Sequence, residues 1–236
     1  MKKFLSIIIV LLMTVGVYAQ KDVTTFLGIP VDGTKAAMKS KLIEKGFTYN
    51  RELDCFEGEF NGRDVNVSIV TNNNRVYRIN IVDSYSSSER DIQIRFNNLC
   101  YQFANNKKYV PIDVTKAPFN YIIPDDEDIS YGITVKNKRY YAAFCQNINW
   151  ELVDSIQIQK EVKKIVEDKY SLEELVNLTD AQKSDLYESV YKEVPIRLSE
   201  NVFNKSVWFC ILELHGGYVI SMYYDNEYNK ANGEDL

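Results

Sequence analysis

The sequence predicts an α+β fold: tandem repeats of a helix followed by an antiparallel β-meander, with the helices packed on one face of the sheet. Three observations carry this. The first is the stretch around Gly62–Asp83. Val65, Val67 and Ile69 alternate with polar residues, an Asn72-Asn73-Asn74 turn follows, and Tyr77, Ile79 and Ile81 alternate again. Period-2 alternation on both sides of an Asn-rich turn predicts two antiparallel strands with one buried face. Ile69 is expected opposite Tyr77, and Val67 opposite Ile79. The second is a set of capped amphipathic segments. Ser86-Ser87-Ser88-Glu89 reads as a capping box before Ile92, Phe96, Leu99 and Phe103, whose spacing marks one buried helix face. The third is a self-match at a constant offset of 64 positions: Asp64 with Asp128, Ile69 with Ile133, Asn73 with Asn137 and Tyr77 with Tyr141. It makes 128–146 a second copy of the hairpin, with strands at 128–135 and 139–146.

The elements follow in order. Met1-Lys2-Lys3, the apolar run Phe4–Val17 and Val17-Tyr18-Ala19 form a secretory signal peptide, with cleavage expected after Ala19. Residues 22–30 are an extended lead-in. Asp32-Gly33-Thr34 offers caps for a helix over 35–45 with Met38 and Leu42 inward, closed by Gly46. Phe47–Asn50 and Cys55–Phe60 read as short strands, and Phe119–Ile123 as another ended by Pro124. Beyond Asn149 the pattern turns helical. Capping boxes start at Ser171 and Thr179, and Pro195 is the expected stop. Val207–Leu214 and Tyr218–Tyr224 form a last hairpin around Gly216-Gly217, apolar on both faces and therefore central or covered. The expected division is 1–19 signal peptide, 20–84 first unit, 85–148 second unit, and 149–236 a helical segment plus hairpin, a possible divergent third unit.

The signal peptide places the mature chain outside the cytoplasm, secreted or periplasmic, with no Cys near the cleavage site to carry a lipid. No later stretch is apolar enough for stable membrane insertion. The formal net charge of −5 argues against nucleic acid as a partner. Cys55, Cys100, Cys145 and Cys210 permit two disulfides in three connectivities, or four buried thiols. Cys100 and Cys145 fall on apolar faces, where Cys behaves as a small hydrophobe, which favours free thiols.

The inventory for catalysis is thin. The one histidine, His215, stands beside Gly216-Gly217 and reads as a loop residue. HExxH, GxSxG, GxGxxG and P-loop motifs are absent, and one histidine without closely spaced cysteines does not suit zinc. Asp125–Asp128 lacks the alternating spacing of calcium ligands, and Asp225, Glu227 and Asn229 alternate without the glycine and distal glutamate of an EF-hand. The expectation is therefore no catalytic residues, no metal and no cofactor. Tyr131, Tyr140, Tyr141, Tyr218, Tyr223 and Tyr224 cluster on expected strands, where tyrosines suit a protein-binding face. Tyr131, Tyr141, Tyr223 and Asp225 are the candidate binding residues.

Phe26-Leu27-Gly28-Ile29-Pro30-Val31-Asp32-Gly33, the helix Ile92–Cys100, and Tyr223-Tyr224-Asp225-Asn226 with Asn232–Leu236 resemble a group of uncharacterised secreted proteins of Bacteroides-type bacteria. The helix-plus-sheet repeat also resembles the tandem architecture of β-lactamase-inhibitor-like domains, an analogy of fold alone. The reading these observations favour is a non-catalytic module binding a protein or peptide on its sheet. The rivals are an enzyme with a carboxylate site and a structural envelope component.

Overall fold

The computed structural model describes residues 22–112, 121–147 and 155–231. The signal peptide, Phe119-Asn120 of one expected strand, and the Asn232–Leu236 ending lie outside them. Contacts separate a sheet unit, drawn from 23–147 and 203–231, from a helical unit, drawn from 155–202.

The sheet unit is α+β. A short ribbon, β1 (Thr25–Phe26) and β2 (Ile29–Pro30), precedes α1 (Lys35–Glu44). Thr34 Oγ1 caps α1 by accepting from Ala37 N. The helix ends in a Schellman motif: Phe47 N donates to Leu42 O at 3.1 Å and Gly46 N to Ile43 O at 2.9 Å, with Gly46 at φ 94°. β3 (Thr48–Asn50), β4 (Cys55–Phe60), β5 (Arg63–Asn72) and β6 (Arg75–Asp83) follow as a meander, then α2 (Glu89–Asn105) and β7 (Tyr109–Pro111). A short helix, α3 (Ile129–Thr134), leads to β8 (Tyr141–Gln146). The helical unit holds α4 (Ser155–Lys169), α5 (Leu172–Val176) and α6 (Asp180–Glu200), and the chain closes with β9 (Ser206–Leu214) and β10 (Gly217–Asp225).

The sheet has eight antiparallel strands in the order β3-β4-β5-β6-β10-β9-β8-β7. α1 thus precedes the four strands β3–β6 and α2 precedes β7–β10, whose connections carry α3 and the helical unit; this second set runs back across the sheet to pair β10 with β6. The last hairpin is not an appended unit: it supplies two central strands, which is why both its faces are apolar. Both long helices lie on one face, α1 against β5, β6 and β3, α2 against β10, β7 and β9. Between them Met38, Leu42, Ile92, Phe96 and Phe103 meet Val67, Ile79, Phe144, Phe209 and Met222. The rings of Phe96 and Phe209 cross edge-on at 5.2 Å and those of Phe103 and Phe144 stack at 5.0 Å.

Five expectations need correction. The first arm of the supposed second hairpin, 128–135, is a helix. Asp128 Oδ1 accepts from Tyr131 N at 2.7 Å, and Glu89, expected to cap its own helix, instead accepts at Oε1 from Ile129 N at 2.6 Å. Ile129, Gly132 and Ile133 then fall at helical rather than alternating spacing. The match at offset 64 therefore pairs a strand with a helix in its first arm and a strand with a strand, β6 with β8, only in its second. The first hairpin is shifted by two: Ile69 faces Ile79 and Val67 faces Ile81. Asn73 and Asn74 both adopt positive φ in a two-residue turn, and a bulge at Tyr77 absorbs the extra residue. An even shift keeps Val65, Val67, Ile69, Ile79 and Ile81 inward, but beyond the bulge Val76 takes the buried place expected of Tyr77. The last turn is His215-Gly216, both at positive φ, with Leu214 paired to Gly217. Ile123 joins no strand; its backbone is bracketed by the Asn97 amide of α2, at 2.8 and 2.9 Å. Finally, α6 runs through Pro195. Its buried stripe Leu186, Val190, Val194 and Leu198 continues past the proline, so packing outweighs the missing N–H bond.

In the helical unit α4 packs along α6, burying Ile165 and Val166. Arg197 to Asp168 at 2.8 Å and Lys169 to Glu193 link the two helices. Ser171–Glu174 and Thr179–Gln182 form the expected reciprocal caps. No helix among the described residues is long and apolar enough to cross a membrane.

Candidate functional site

Strand alternation assigns every second residue to the face of the sheet opposite α1 and α2. Register then lays these out in rows. Asn80 faces Tyr223, Tyr223 faces Trp208 and Trp208 faces Ala143. One row over, Val82, Ser221, Cys210 and Tyr141 line up; on the other side stand Val70, Arg78, Asp225 and Ser206.

At the centre, on β6, β10 and β9, four side chains interlock. The rings of Trp208 and Tyr223 stack at 3.9 Å and 17°. Arg78 grips Asp225 with both arms, Nε to Oδ1 at 2.6 Å and an Nη to Oδ2 at 2.7 Å. Trp208 Nε1–H donates to the same carboxylate at 3.1 Å. The guanidinium carbon lies 4.9 Å from the Tyr223 ring and 5.5 Å from that of Trp208. Asp225 is 2% exposed and Arg78 22%. A buried carboxylate needs such compensation, and the bidentate fork supplies it. The same hydrogen bond pushes the Arg78 pKa above its already high ordinary value, so the guanidinium carries its charge throughout the physiological range.

Of the four candidate residues, Tyr141, Tyr223 and Asp225 share this face. Tyr131 does not: it points outward from α3, with Lys136 Nζ 5.1 Å from its ring. The other tyrosines have structural places. Tyr140 is buried, its hydroxyl donating to Glu127 and filling the space that the missing Cβ of Gly132 leaves. Tyr218 and Tyr224 face the helices. Arg78 and Trp208 were missed as site residues. Alternation of β9 placed Trp208 outward, but nothing local announces that β6 pairs with β10 across some 140 positions.

The motif residues form a clasp. Asn226 Nδ2 donates to Val31 O at 2.8 Å, Asn229 Nδ2 reaches Val76 O at 2.8 Å and Asp32 Oδ1 at 2.7 Å, and Thr24 Oγ1 donates to Asp225 O. Gln146 holds Thr25 by accepting from its N at 2.8 Å and donating to its O at 2.6 Å. The lead-in and ending that carry the lineage resemblance thus tie the start of the sheet unit to its end.

Buried acids do not converge. Asp83 sits on the helix side, 6% exposed, gripped by Arg95 at 2.5 and 2.9 Å; Asp225 lies on the opposite face with its own arginine. Lys39, Tyr49 and Asp54 form a chain of 2.6 Å hydrogen bonds, joined by Lys35 at 2.7 Å. Lys35, then Tyr49 and Lys39, hold the Asp54 carboxyl well below its usual range. This network is on the surface and pins the β3–β4 turn to α1. Among the described residues no three His, Cys, Asp or Glu side chains converge as a metal site requires.

The four cysteines are free thiols. Cys210 lies opposite Tyr141, four residues along β8 from Cys145, so the two are about 13 Å apart where a disulfide needs Cα atoms within about 7 Å. Cys55 is four strands from Cys210, and Cys100 is in the helix layer. Burial pushes Cys100 up to about 12, and Cys145 and Cys210 up to about 11. Compared with protein-family models, with curated proteins and with solved structures, the chain finds no match.

Proposed function

We propose that the chain is a non-catalytic binding module, exported to the periplasm or beyond, that engages a protein or peptide partner through the face of its sheet opposite α1 and α2. The observation that carries this is the central cluster of Trp208, Tyr223 and Arg78 fixed on Asp225. Energetically dominant residues of protein interfaces are enriched in Trp, Tyr and Arg and sit near the middle of the contact. Here those three types stand at the middle of a rigid sheet, their rotamers locked by stacking and a bidentate ion pair, so little entropy is lost on contact. Tyr141, 48% exposed, and Leu212, 42%, extend the apolar surface outward. The pairing of the sheet unit's two buried acids, Asp83 and Asp225, each with its own arginine and on opposite faces, weighs against a carboxylate enzyme, which needs two acids flanking one bond.

The test is site-specific photocrosslinking. A benzophenone amino acid placed at Tyr141 samples the proposed face, and one at Tyr101, exposed on α2, samples the opposite side. The expected result, in envelope extracts of a Bacteroides-type bacterium, is one adduct from position 141. It should be absent from position 101, lost when Trp208→Ala is added, and reproduced with the purified partner. Equal adducts from both positions, or none from 141, would refute the proposal.

A further inference from the structure

Resting on that reading, we infer that the partner is basic: it sets an apolar side chain on the Trp208–Tyr223 stack and a lysine or arginine into an acidic groove where the far corner of that face meets the sheet's end. The face is asymmetric. Its β8–β9 half carries Tyr141, Ala143, Cys210 and Leu212. Its β4–β5 half carries Glu57, Glu59 and Asp64, all exposed. Glu59 and Asp64 are direct cross-strand partners. Like charges placed opposite one another destabilise a sheet pair, yet no salt bridge among the described residues relieves these two. Glu57 accepts only from the neutral amide of Asn50, at 2.7 Å. Arg63, beside them on β5, alternates to the helix side and reaches the same corner from there as a single opposing charge, and the one base at the centre of the face, Arg78, is neutralised by Asp225. The face therefore presents uncompensated negative charge on one half.

That charge borders a space. A groove of about 330 Å³ opens at this corner, lined by Glu59, Gly62, Arg63, Asp64, Asp83 and Tyr85. Asp83 is already satisfied by Arg95, so Glu59 and Asp64 are its available acceptors, and with Arg63 as the one other cation the groove keeps a net negative charge. Tyr85, 74% exposed, adds an aromatic wall against which a cation gains further attraction. From Asp64 to Trp208 is three strand spacings and two rows, about 20 Å, the span of roughly six extended residues. The occupant is thus an extended or strand-like segment with an aromatic or large aliphatic residue about six positions from a Lys or Arg. Opposite charge at the rim sets association rate and specificity, and the apolar anchor sets lifetime.

The test pans a phage-displayed library of random 12-residue peptides on the purified chain, then measures the enriched sequences as synthetic peptides. The comparison uses wild type, the pair Glu59→Gln with Asp64→Asn, and Trp208→Ala. Both carboxylates are on the surface, so the paired variant keeps its fold, which circular dichroism checks. Enriched peptides should share a large apolar residue and a base at that spacing. The paired variant should weaken them at least tenfold at low salt, and raising salt should erase that difference. Peptides that depend on Trp208 but lack a base, or bind the paired variant equally well, would overturn the inference while leaving the binding face standing. Failure to enrich any peptide dependent on Trp208 would overturn both.

Discussion

Replacing Arg78 by methionine isolates what holds the centre of the face opposite α1 and α2. Methionine keeps most of the stem and removes the fork, so Asp225 retains only the Trp208 N–H at 3.1 Å. Stranding one member of a buried ion pair costs about 3–5 kcal/mol. Arg78 is 22% exposed and water can take part of its place, which lowers the expectation to about 2–3 kcal/mol. For a chain of this size each kcal/mol moves Tm by about 2–4 °C, so Arg78→Met should melt about 4–12 °C lower. Asp225→Asn removes the buried charge itself and should cost less, about 1–2 kcal/mol. In the Arg78→Met background, Asp225→Asn should be neutral or stabilising, because no unpaired carboxylate is left. Urea unfolding followed by far-UV circular dichroism at pH 7, run as a double-mutant cycle, measures all four corners. A loss below about 1 kcal/mol for Arg78→Met, or an Asp225→Asn cost unchanged by the background, would refute the view that the ion pair fixes this cluster.

Four further outcomes follow from the structure. Asn226→Ala leaves the Val31 carbonyl without its buried donor and should cost about 1–3 kcal/mol, with hydrogen exchange accelerating first at the clasp around residues 24–31; uniform exchange across the sheet unit would contradict the clasp. Cys55, Cys100 and Cys145 should react with a disulfide reagent only after unfolding and the half-buried Cys210 slowly before it, and a count of fewer than four under denaturing, non-reducing conditions would show a disulfide. Because folded Cys100, Cys145 and Cys210 titrate at about 12, 11 and 11, above an unfolded thiol, their contribution is fully present below pH 8.5. It is lost as pH rises through those values, so urea midpoints should fall between about pH 9 and 11, and more gently when Cys100 is Ala. Pro195→Ala restores a backbone donor to an exposed position of α6 and should stabilise the helical unit by up to about 3 kcal/mol; a lower melting temperature would mean the proline shapes the helix usefully.

Much of the fold was legible because its causes are local. The alternation of Val65, Val67 and Ile69, the caps at Thr34, Ser171 and Thr179, and the stripe Ile92, Phe96, Leu99 and Phe103 each depend on residues within a few positions. The α+β class and the helix-on-sheet layering follow from them. Misreadings arose where a distant group overrode the local pattern. Residues 128–135 alternate acceptably for a strand, but the Glu89 carboxylate, some 40 positions away, caps them as a helix. The hairpin register depended on a bulge at Tyr77 that turn length alone does not reveal.

The candidate site divides along the same line. By itself the sequence determined which side chains alternate outward: Tyr141 on one strand, Tyr223 and Asp225 on another, Trp208 on a third. Only the tertiary structure decided that these strands are neighbours, that β6 closes against β10, and that Arg78 therefore meets Asp225 beneath the Trp208–Tyr223 stack. The physical reason is that side-chain direction along a strand is set by backbone pleating, a property of adjacent residues. Which strands pair is set by burying the whole apolar face at once under α1 and α2, a property of the entire chain.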